Sequence, residues 1–425
     1  MKKFLIIAYT FPPTPGVGGR RWAKFAKYLH RKGYDVRVIA AKVPYEQESH
    51  WSADIEALAD EGRITYVQSG YPKYMYSPKT FFEKVMYRVS LAYLKLRVEG
   101  QYYDPSVLWK KHLIPVVEEH IEEGYKTIVA TGAPFRYLTD LGALKNNHSD
   151  IKLIADIRDP WTTNKTSYGY DSLSPERLNF EKKSEQSLVQ NFDHIITVYR
   201  ETTVYFEKLN LTTKCIFSTI RNGFDYDDMR LSDLEGKIET EKLKFVFVGT
   251  FYQKALHNLN EFMKALDTIK SSHQTIYERL QFDFYGDVPK QFNKIIKPHQ
   301  NIIKFHGKIP LNKVADTIYN SSGAMLFLTD DMNYSFSTKF YEYISLKRVL
   351  LIVSKEGTTG EFVEKNNLGF MISQGNMYNQ LLFAIHKISD GYQVNESFDL
   401  TQYSVEHLTD ELIDVLDEHR KGKNL

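Results

Sequence analysis

Phe336-Ser337-Thr338-Lys339-Phe340-Tyr341-Glu342-Tyr343-Ile344-Ser345 leads, after three residues, into the apolar run Val349-Leu350-Leu351-Ile352-Val353. Gly357-Thr358-Thr359-Gly360-Glu361 follows, and the stretch ends on Asn366-Asn367-Leu368-Gly369-Phe370. Ser337 and Thr338 stand where a helix starts, and a helix start leaves backbone N–H groups pointing outward that suit a phosphate. Glu342 comes one turn later, where its carboxylate can accept hydrogen bonds from ribose hydroxyls. The apolar run predicts a buried strand. The glycine-rich turn at its carboxyl end lies where open α/β sheets bind ligands.

The same pattern extends through the second half of the chain. Strands are predicted at residues 245–249, 281–285, 302–306, 324–328, 349–353 and 369–372, with helices between them at 258–269, 311–319 and 338–345. Six strands alternating with helices predict a doubly wound α/β domain. It opens on Val248-Gly249-Thr250-Phe251-Tyr252-Gln253-Lys254. Backbone N–H groups of this loop, with the Lys254 cation, are expected to form a diphosphate clamp; the plainer reading of Lys254 is a surface lysine after a strand. Residues 227–242, ahead of this domain, are charged and poorly periodic, which predicts a linker or surface excursion. Residues 404–420 predict a final amphipathic helix.

The first half is a second α/β pattern. A strand at 4–8 feeds Thr10-Phe11-Pro12-Pro13-Thr14-Pro15-Gly16-Val17-Gly18-Gly19. A helix over 20–32 follows, with Trp22, Phe25, Ala26 and Leu29 on one face, then a strand at 36–40. Gly18 and Gly19 permit close approach to a ligand, or serve only a tight turn for helix packing. No strict G-x-G-x-x-G is present and no acidic residue ends the second strand, which disfavours a nicotinamide site. The strand at 126–131 runs into Gly132-Ala133-Pro134-Phe135-Arg136-Tyr137, and the strand at 152–156 into Asp156-Ile157-Arg158-Asp159-Pro160-Trp161. Two carboxylates, an arginine and a tryptophan at a strand's carboxyl end are expected to point into a cleft. There Arg158 would hold an anion, Asp159 would orient or deprotonate an acceptor hydroxyl, and Trp161 would stack on a sugar face. The structural alternative is an Asp–Arg pair that closes the loop. A helix at 180–190 and strands at 194–198 and 215–220 complete this half, before the Asn222-Gly223 turn.

Residues 71–112 interleave basic and aromatic side chains on what reads as one long helix and its flanks. Two readings stand there: a stripe lying on an anionic membrane surface, or a tyrosine-rich core helix with a solvated lysine face. Nucleic acid is disfavoured, because no binding motif accompanies the stripe. With 425 residues, two cores are expected. The net charge of +2 argues for no particular partner. A single cysteine, Cys215, excludes a disulfide framework and fits a reducing compartment. The five-residue apolar run after Lys3 is too short for a signal peptide, and no run approaches the ~18 apolar residues of a membrane span. The thirteen histidines show no metal-ligand spacing, so no metal site is expected.

Taken in order, the segments at 4–40, 152–161, 219–225 and 324–370 resemble the retaining family 4 glycosyltransferases of bacteria. The resemblance implies the GT-B fold, two facing Rossmann-like domains with an interdomain cleft. It implies an acceptor domain over 1–223, a donor domain over 224–400, and a helix over 401–425 that packs back on the first domain. The implied activity is metal-independent transfer of a hexosyl or N-acetylhexosaminyl group from a nucleotide-sugar donor. The implied acceptor is a glycan or polyprenyl-linked acceptor of surface polysaccharide synthesis, met in the cytoplasm or at the inner face of the cell membrane. No cofactor beyond the donor is implied.

Carried onto this sequence, the donor site comprises Gly18, Gly19, Gly249, Thr250, Lys254, Ser337, Thr338, Lys339, Glu342 and Glu361. Arg136, Tyr137 and Trp161 fall on the acceptor side, with Asp159 and Arg158 positioning the acceptor and Lys254 and Lys339 stabilising the leaving diphosphate. Three positions depart from the pattern. Thr250 stands where an arginine is usual, Tyr334 where the first of two donor-site glutamates is usual, and Arg136-Tyr137 where a histidine often lies. These departures leave open a second reading, a catalytically degenerate sugar-nucleotide-binding or scaffold protein of the same fold.

Overall fold

The structure, a computed structural model, describes residues 2–44, 49–164, 168–210, 214–229 and 241–421, the last four of these as backbone. Most of the charged stretch expected as a linker, residues 230–240, lies outside the described residues. The chain divides into two compact units, Met1–Arg221 with Leu408–Leu425, and Asn222–His407.

The first unit is built on seven strands: β1 (Lys3–Ala8), β2 (Asp35–Lys42), β3 (Ile64–Gln68), β4 (Thr127–Gly132), β5 (Lys152–Ile157), β6 (His194–Thr197) and β7 (Ile216–Thr219). Their order is β3-β2-β1-β4-β5-β6-β7, every pair parallel. The central strands are covered on both faces, which is why β1 and β5 read as continuous apolar runs rather than alternating ones. The strand order reverses between β1 and β4, the switch point at which such sheets open a crevice beyond their carboxyl ends.

β3 was not expected from the sequence. It is an edge strand, Ile-Thr-Tyr-Val-Gln, of which only Val67 is buried, so its apolar signal is weak. The final helix, Val405–Lys421, lies against this unit from Leu408 onward. Lys32 pairs with Asp410 at 2.8 Å, Lys152 donates to the Leu416 carbonyl at 3.0 Å, and Lys2 pairs with Asp417.

The long helix expected with its flanks over residues 71–112 is Phe81–Arg97, flanked by a 3-10 turn at Lys73–Met75 and by the start of another helix at Lys110–Glu122. Pro78 and Pro105 interrupt the pattern, because proline has no N–H to give a helix interior. The Phe81–Arg97 helix starts on a capping box. Thr80 accepts from the Glu83 N–H at 3.2 Å, and the Glu83 carboxylate accepts from the Thr80 N–H at 2.8 Å.

The second unit carries β8 (Leu243–Val248), β9 (Leu280–Tyr285), β10 (Ile303–Gly307), β11 (Gly323–Phe327), β12 (Val349–Ser354) and β13 (Gly369–Ser373). The order is β10-β9-β8-β11-β12-β13, again parallel, with its switch point between β8 and β11. The Thr338–Ser345 helix forms where the sequence predicts it. Ser337 caps it, accepting from the Phe340 N–H at 3.4 Å, and Lys347 ends it in the left-handed region at φ 52°. The glycine-rich turn expected after β12 is a correction: Thr358–Lys365 is a helix. Gly360 lies inside it because the Met371 sulfur occupies the space a Cβ would need.

Candidate functional site

The second unit gathers its polar groups at the β8 switch point. The Thr338–Ser345 helix is fastened to β8 by Tyr343, whose buried hydroxyl accepts from the Val248 N–H at 2.9 Å and donates to the Val248 carbonyl at 3.3 Å. That contact sets the helix start beside the β8 loop. From the first turn Lys339 reaches across, its ammonium 4.7 Å from the Phe247 ring centre and 3.2 Å from the Thr250 carbonyl. Gly249 makes room for it. The glycine sits at φ +126°, and a Cβ there would overlap the Lys339 side chain.

Burial lowers the Lys339 ammonium to about 8, with the Glu342 charge acting in the opposite direction. Ser337, Thr338, Lys339 and Glu342 are therefore one constellation with Gly249 and Thr250. Lys254 stands exposed on the next 3-10 turn, Gln253–Ala255, and Glu361 exposed in the first turn of the Thr358–Lys365 helix.

The lowered Lys339 value gives a pH test. The protonated ammonium favours an anion, so nucleoside-diphosphate affinity should fall as pH rises from 7 to 9, by about tenfold. The diphosphate itself stays ionised across that range. Titration calorimetry checks this; a Lys339→Met variant should bind more weakly throughout and lose the pH dependence.

In the first unit the structure replaces several expected ligand contacts with internal ones. Asp156 is fully buried. It accepts from Arg21 at 2.9 and 3.1 Å, from the Trp22 indole at 2.7 Å and from Thr131 at 3.0 Å, its register partner on β4. Arg21 goes on to the carbonyls of Ile220 and Arg221 at 2.9 and 2.8 Å. This carboxylate ties the sheet to its first helix and does not open into a cleft.

Arg158 is the closing pair and more. It meets Asp159 at 3.3 Å, the Ala133 carbonyl at 3.0 Å and the Gly18 carbonyl, so it staples the loops after β1, β4 and β5. The expectation that Arg158 holds an anion gives way to that positioning role. Asp159 stays half-buried, accepting also from the Tyr168 hydroxyl at 2.7 Å. Gly18 and Gly19 sit in a crowded turn, where Cβ atoms would meet Thr10 at 3.2 Å and Phe11 at 3.1 Å.

Trp161 and Tyr137 are corrected. Both are fully buried. Trp161 stacks on Phe135, centroids 4.9 Å apart and 9° from parallel, and donates to Glu181 at 2.9 Å, so no face is left for a sugar. Tyr137 donates to the carbonyls of Ile7 and Thr131 at 3.0 and 2.6 Å, bracing β1 against β4. Arg136 lies over the Phe180 ring at 4.6 Å, half-buried.

Sequence reasoning missed Asp104. Its buried carboxylate accepts from the N–H groups of Phe135 and Arg136 at 2.8 and 3.1 Å, occupying the start of the Arg136–Gly142 helix. Burial raises its pKa, and the hydrogen bonds from Ser106, Phe135 and Arg136 oppose that shift.

A cavity of about 730 Å³ also went unpredicted. It lies beside the β1 loop, lined by Pro15, Pro44, Lys73, Tyr76, Lys79 and Phe82 among others. Tyr76 shares a 2.8 Å hydrogen bond with Tyr9, the first residue past β1. The only sequence signal was the basic-aromatic texture. The volume suits a small-molecule ligand, and the lining, two lysines and two tyrosines with the Glu83 carboxylate, suits a polar one.

No protein-family model and no curated protein matches the chain. Solved structures do. Sucrose-phosphate synthase from Thermosynechococcus elongatus matches with a TM-score of 0.62 at 12% identity, over 99% of this chain and 100% of that one. A trehalose-6-phosphate protein from E. coli bound with UDP-2-fluoro glucose gives 0.62 at 10% identity, over 98% and 99%. WaaG, a glycosyltransferase involved in lipopolysaccharide biosynthesis, gives 0.55 at 12% identity, over 98% and 99%. With its two parallel-sheet domains, the chain has the GT-B fold.

Proposed function

We propose that this chain is a glycosyltransferase. It takes a hexosyl or N-acetylhexosaminyl group from a nucleotide-diphosphate sugar and passes it, with retention and without a metal ion, to a glycan or polyprenyl-linked acceptor. The setting is bacterial surface polysaccharide synthesis at the inner face of the membrane. The observation that carries the reading is the β8 constellation. A glycine loop, a half-buried lysine, a capped helix start and a carboxylate one turn in converge at a switch point. Support comes also from the fold, which the chain shares with a protein bound to a uridine-diphosphate sugar analogue.

In this reading the diphosphate lies against the N–H groups of Thr250, Thr338 and Lys339, while the Gly249 N–H is held by the Tyr285 carbonyl at 2.8 Å and Gly249 serves by the space its missing side chain leaves. The ammonium of Lys339, with Lys254 at the rim, stabilises the charge that develops on the departing nucleotide. Glu342 accepts from the ribose hydroxyls. Glu361, in the first turn of its own helix, faces the donor sugar. Asp159 orients the acceptor hydroxyl, its carboxylate held by Arg158 and Tyr168. Arg136 and the 730 Å³ cavity receive the rest of the acceptor. The test is release or transfer of sugar from a panel of uridine, guanosine, cytidine and adenosine diphosphate sugars. One donor should be consumed above background, with the anomeric outcome read by NMR; no consumption of any donor, with glycan or polyprenyl-phosphate acceptors present, would overturn the reading.

A further inference from the structure

The Phe81–Arg97 helix is apolar on a face that nothing among the described residues covers. Its inner face, through Met86, Tyr87, Ser90, Leu91 and Leu94, is partly or fully buried on the first unit. Both ends are pinned, the first by the Thr80–Glu83 capping box and the last by Arg177, which donates to the carbonyls of Lys95 and Val98 at 2.6 Å each. The outer face is therefore held in place, not frayed.

On that face Phe81 is 85% exposed, Phe82 63%, Val85 41%, Val89 55%, Tyr93 47% and Leu96 87%. At 3.6 residues per turn, these six and Ala92 fall on one arc of about 120°. Lys84, Arg88 and Lys95, all exposed, run along one edge of the arc, and Arg97 lies at the other. The helix carries four basic residues and one acidic, and that one, Glu83, is engaged in the cap.

We propose that this face seats the protein on an anionic lipid bilayer, the helix lying in the plane of the headgroups. A second copy of the chain fits less well. Two such faces would bring like-charged edges together, whereas an anionic headgroup layer meets the lysines and arginine while the aromatic and aliphatic side chains enter the acyl boundary. At about 1.5 Å per residue the helix gives about 25 Å of contact. Phe82 also lines the 730 Å³ cavity, which places that cavity at one end of the seated face. A lipid-linked acceptor would present its head group there. That last connection rests on the transferase reading; the lipid contact rests on the helix alone.

The experiment is flotation of the full chain with phosphatidylcholine vesicles, with and without one-third phosphatidylglycerol, without nucleotide. Wild type should partition at least about tenfold more strongly to the anionic vesicles. Phe81→Asp with Leu96→Asp should lower that binding by about tenfold or more with an unchanged melting temperature, because both side chains are exposed. Lys84→Glu with Arg88→Glu and Lys95→Glu should abolish the preference for phosphatidylglycerol. Wild-type failure to bind, or variants that float like wild type, would overturn the proposal. So would a wild-type dimer in sedimentation velocity that the Phe81→Asp, Leu96→Asp variant converts to monomer. A nucleotide-induced melting shift on the same samples keeps the two readings separable. A shift without flotation sinks only the lipid contact, and flotation without a shift sinks only the donor site.

Discussion

Glu342→Ala weakens nucleoside-diphosphate binding by about 30- to 100-fold on this account. Two losses add. The carboxylate no longer accepts from the ribose hydroxyls, and hydrogen bonds to a charged group contribute about 1.5–3 kcal/mol each. The Glu342 charge also supports the Lys339 ammonium. Without it burial acts unopposed, the lysine titrates below its present value of about 8, and less of the cation is present at neutral pH. Glu342→Gln keeps an acceptor oxygen and loses only the charge, so it should fall between wild type and alanine. Titration calorimetry at pH 7 and pH 8 separates the two contributions: the alanine variant should lose affinity between these pH values more steeply than wild type does. Unchanged affinity in Glu342→Ala would remove the donor assignment.

Asp156→Ala should destabilise the first unit by about 3–5 kcal/mol, the cost of leaving a buried cation without its partner. The buried guanidinium of Arg21 and the buried indole of Trp22 would both lose an acceptor. Adding Arg21→Met to Asp156→Ala should recover part of the loss, since the orphaned charge is then gone. Urea unfolding followed by tryptophan fluorescence reads the effect cleanly, because all four tryptophans, at positions 22, 51, 109 and 161, lie in the first unit. A variant within about 0.5 kcal/mol of wild type would show that Asp156 is not the keystone described.

The α/β class was legible because parallel strands buried on both faces leave uninterrupted apolar runs, and Val349–Ser354 is one of them. The Thr338–Ser345 helix was legible because Ser337 is a good N-cap and the apolar positions that follow repeat at helical spacing. Two kinds of information were not. β3 sits at a sheet edge, where one flank pairs with no strand among the described residues and the apolar signal thins. The true start of the Thr358–Lys365 helix, three residues ahead of Glu361, was hidden by Gly360, whose presence answers to Met371 across the packing and not to a turn.

The candidate site divides in the same way. Its donor half is assembled largely from one continuous stretch, with Gly249 and Thr250 brought in by a strand, so residue types and spacing announce it. The acceptor half depends on long-range partners. Asp156 finds Arg21 and Trp22 across more than 130 positions, and Arg158 finds Gly18 across 140. A tryptophan beside a cluster of charges looks like a sugar platform in sequence; only packing shows that Phe135 already covers it.

The central claim, a nucleotide-sugar site at the β8 switch point, is tested most directly by a thermal-shift screen of the purified protein. The ligands are UDP, GDP, CDP and ADP, each with its common sugars. Binding to the native state alone adds about 2.7 kcal/mol at one hundred times the dissociation constant. A rise of a few degrees is therefore predicted with one diphosphate and its sugar conjugates, and its loss in Glu342→Ala. No rise with any of the four, in a protein that unfolds cooperatively, would contradict the account.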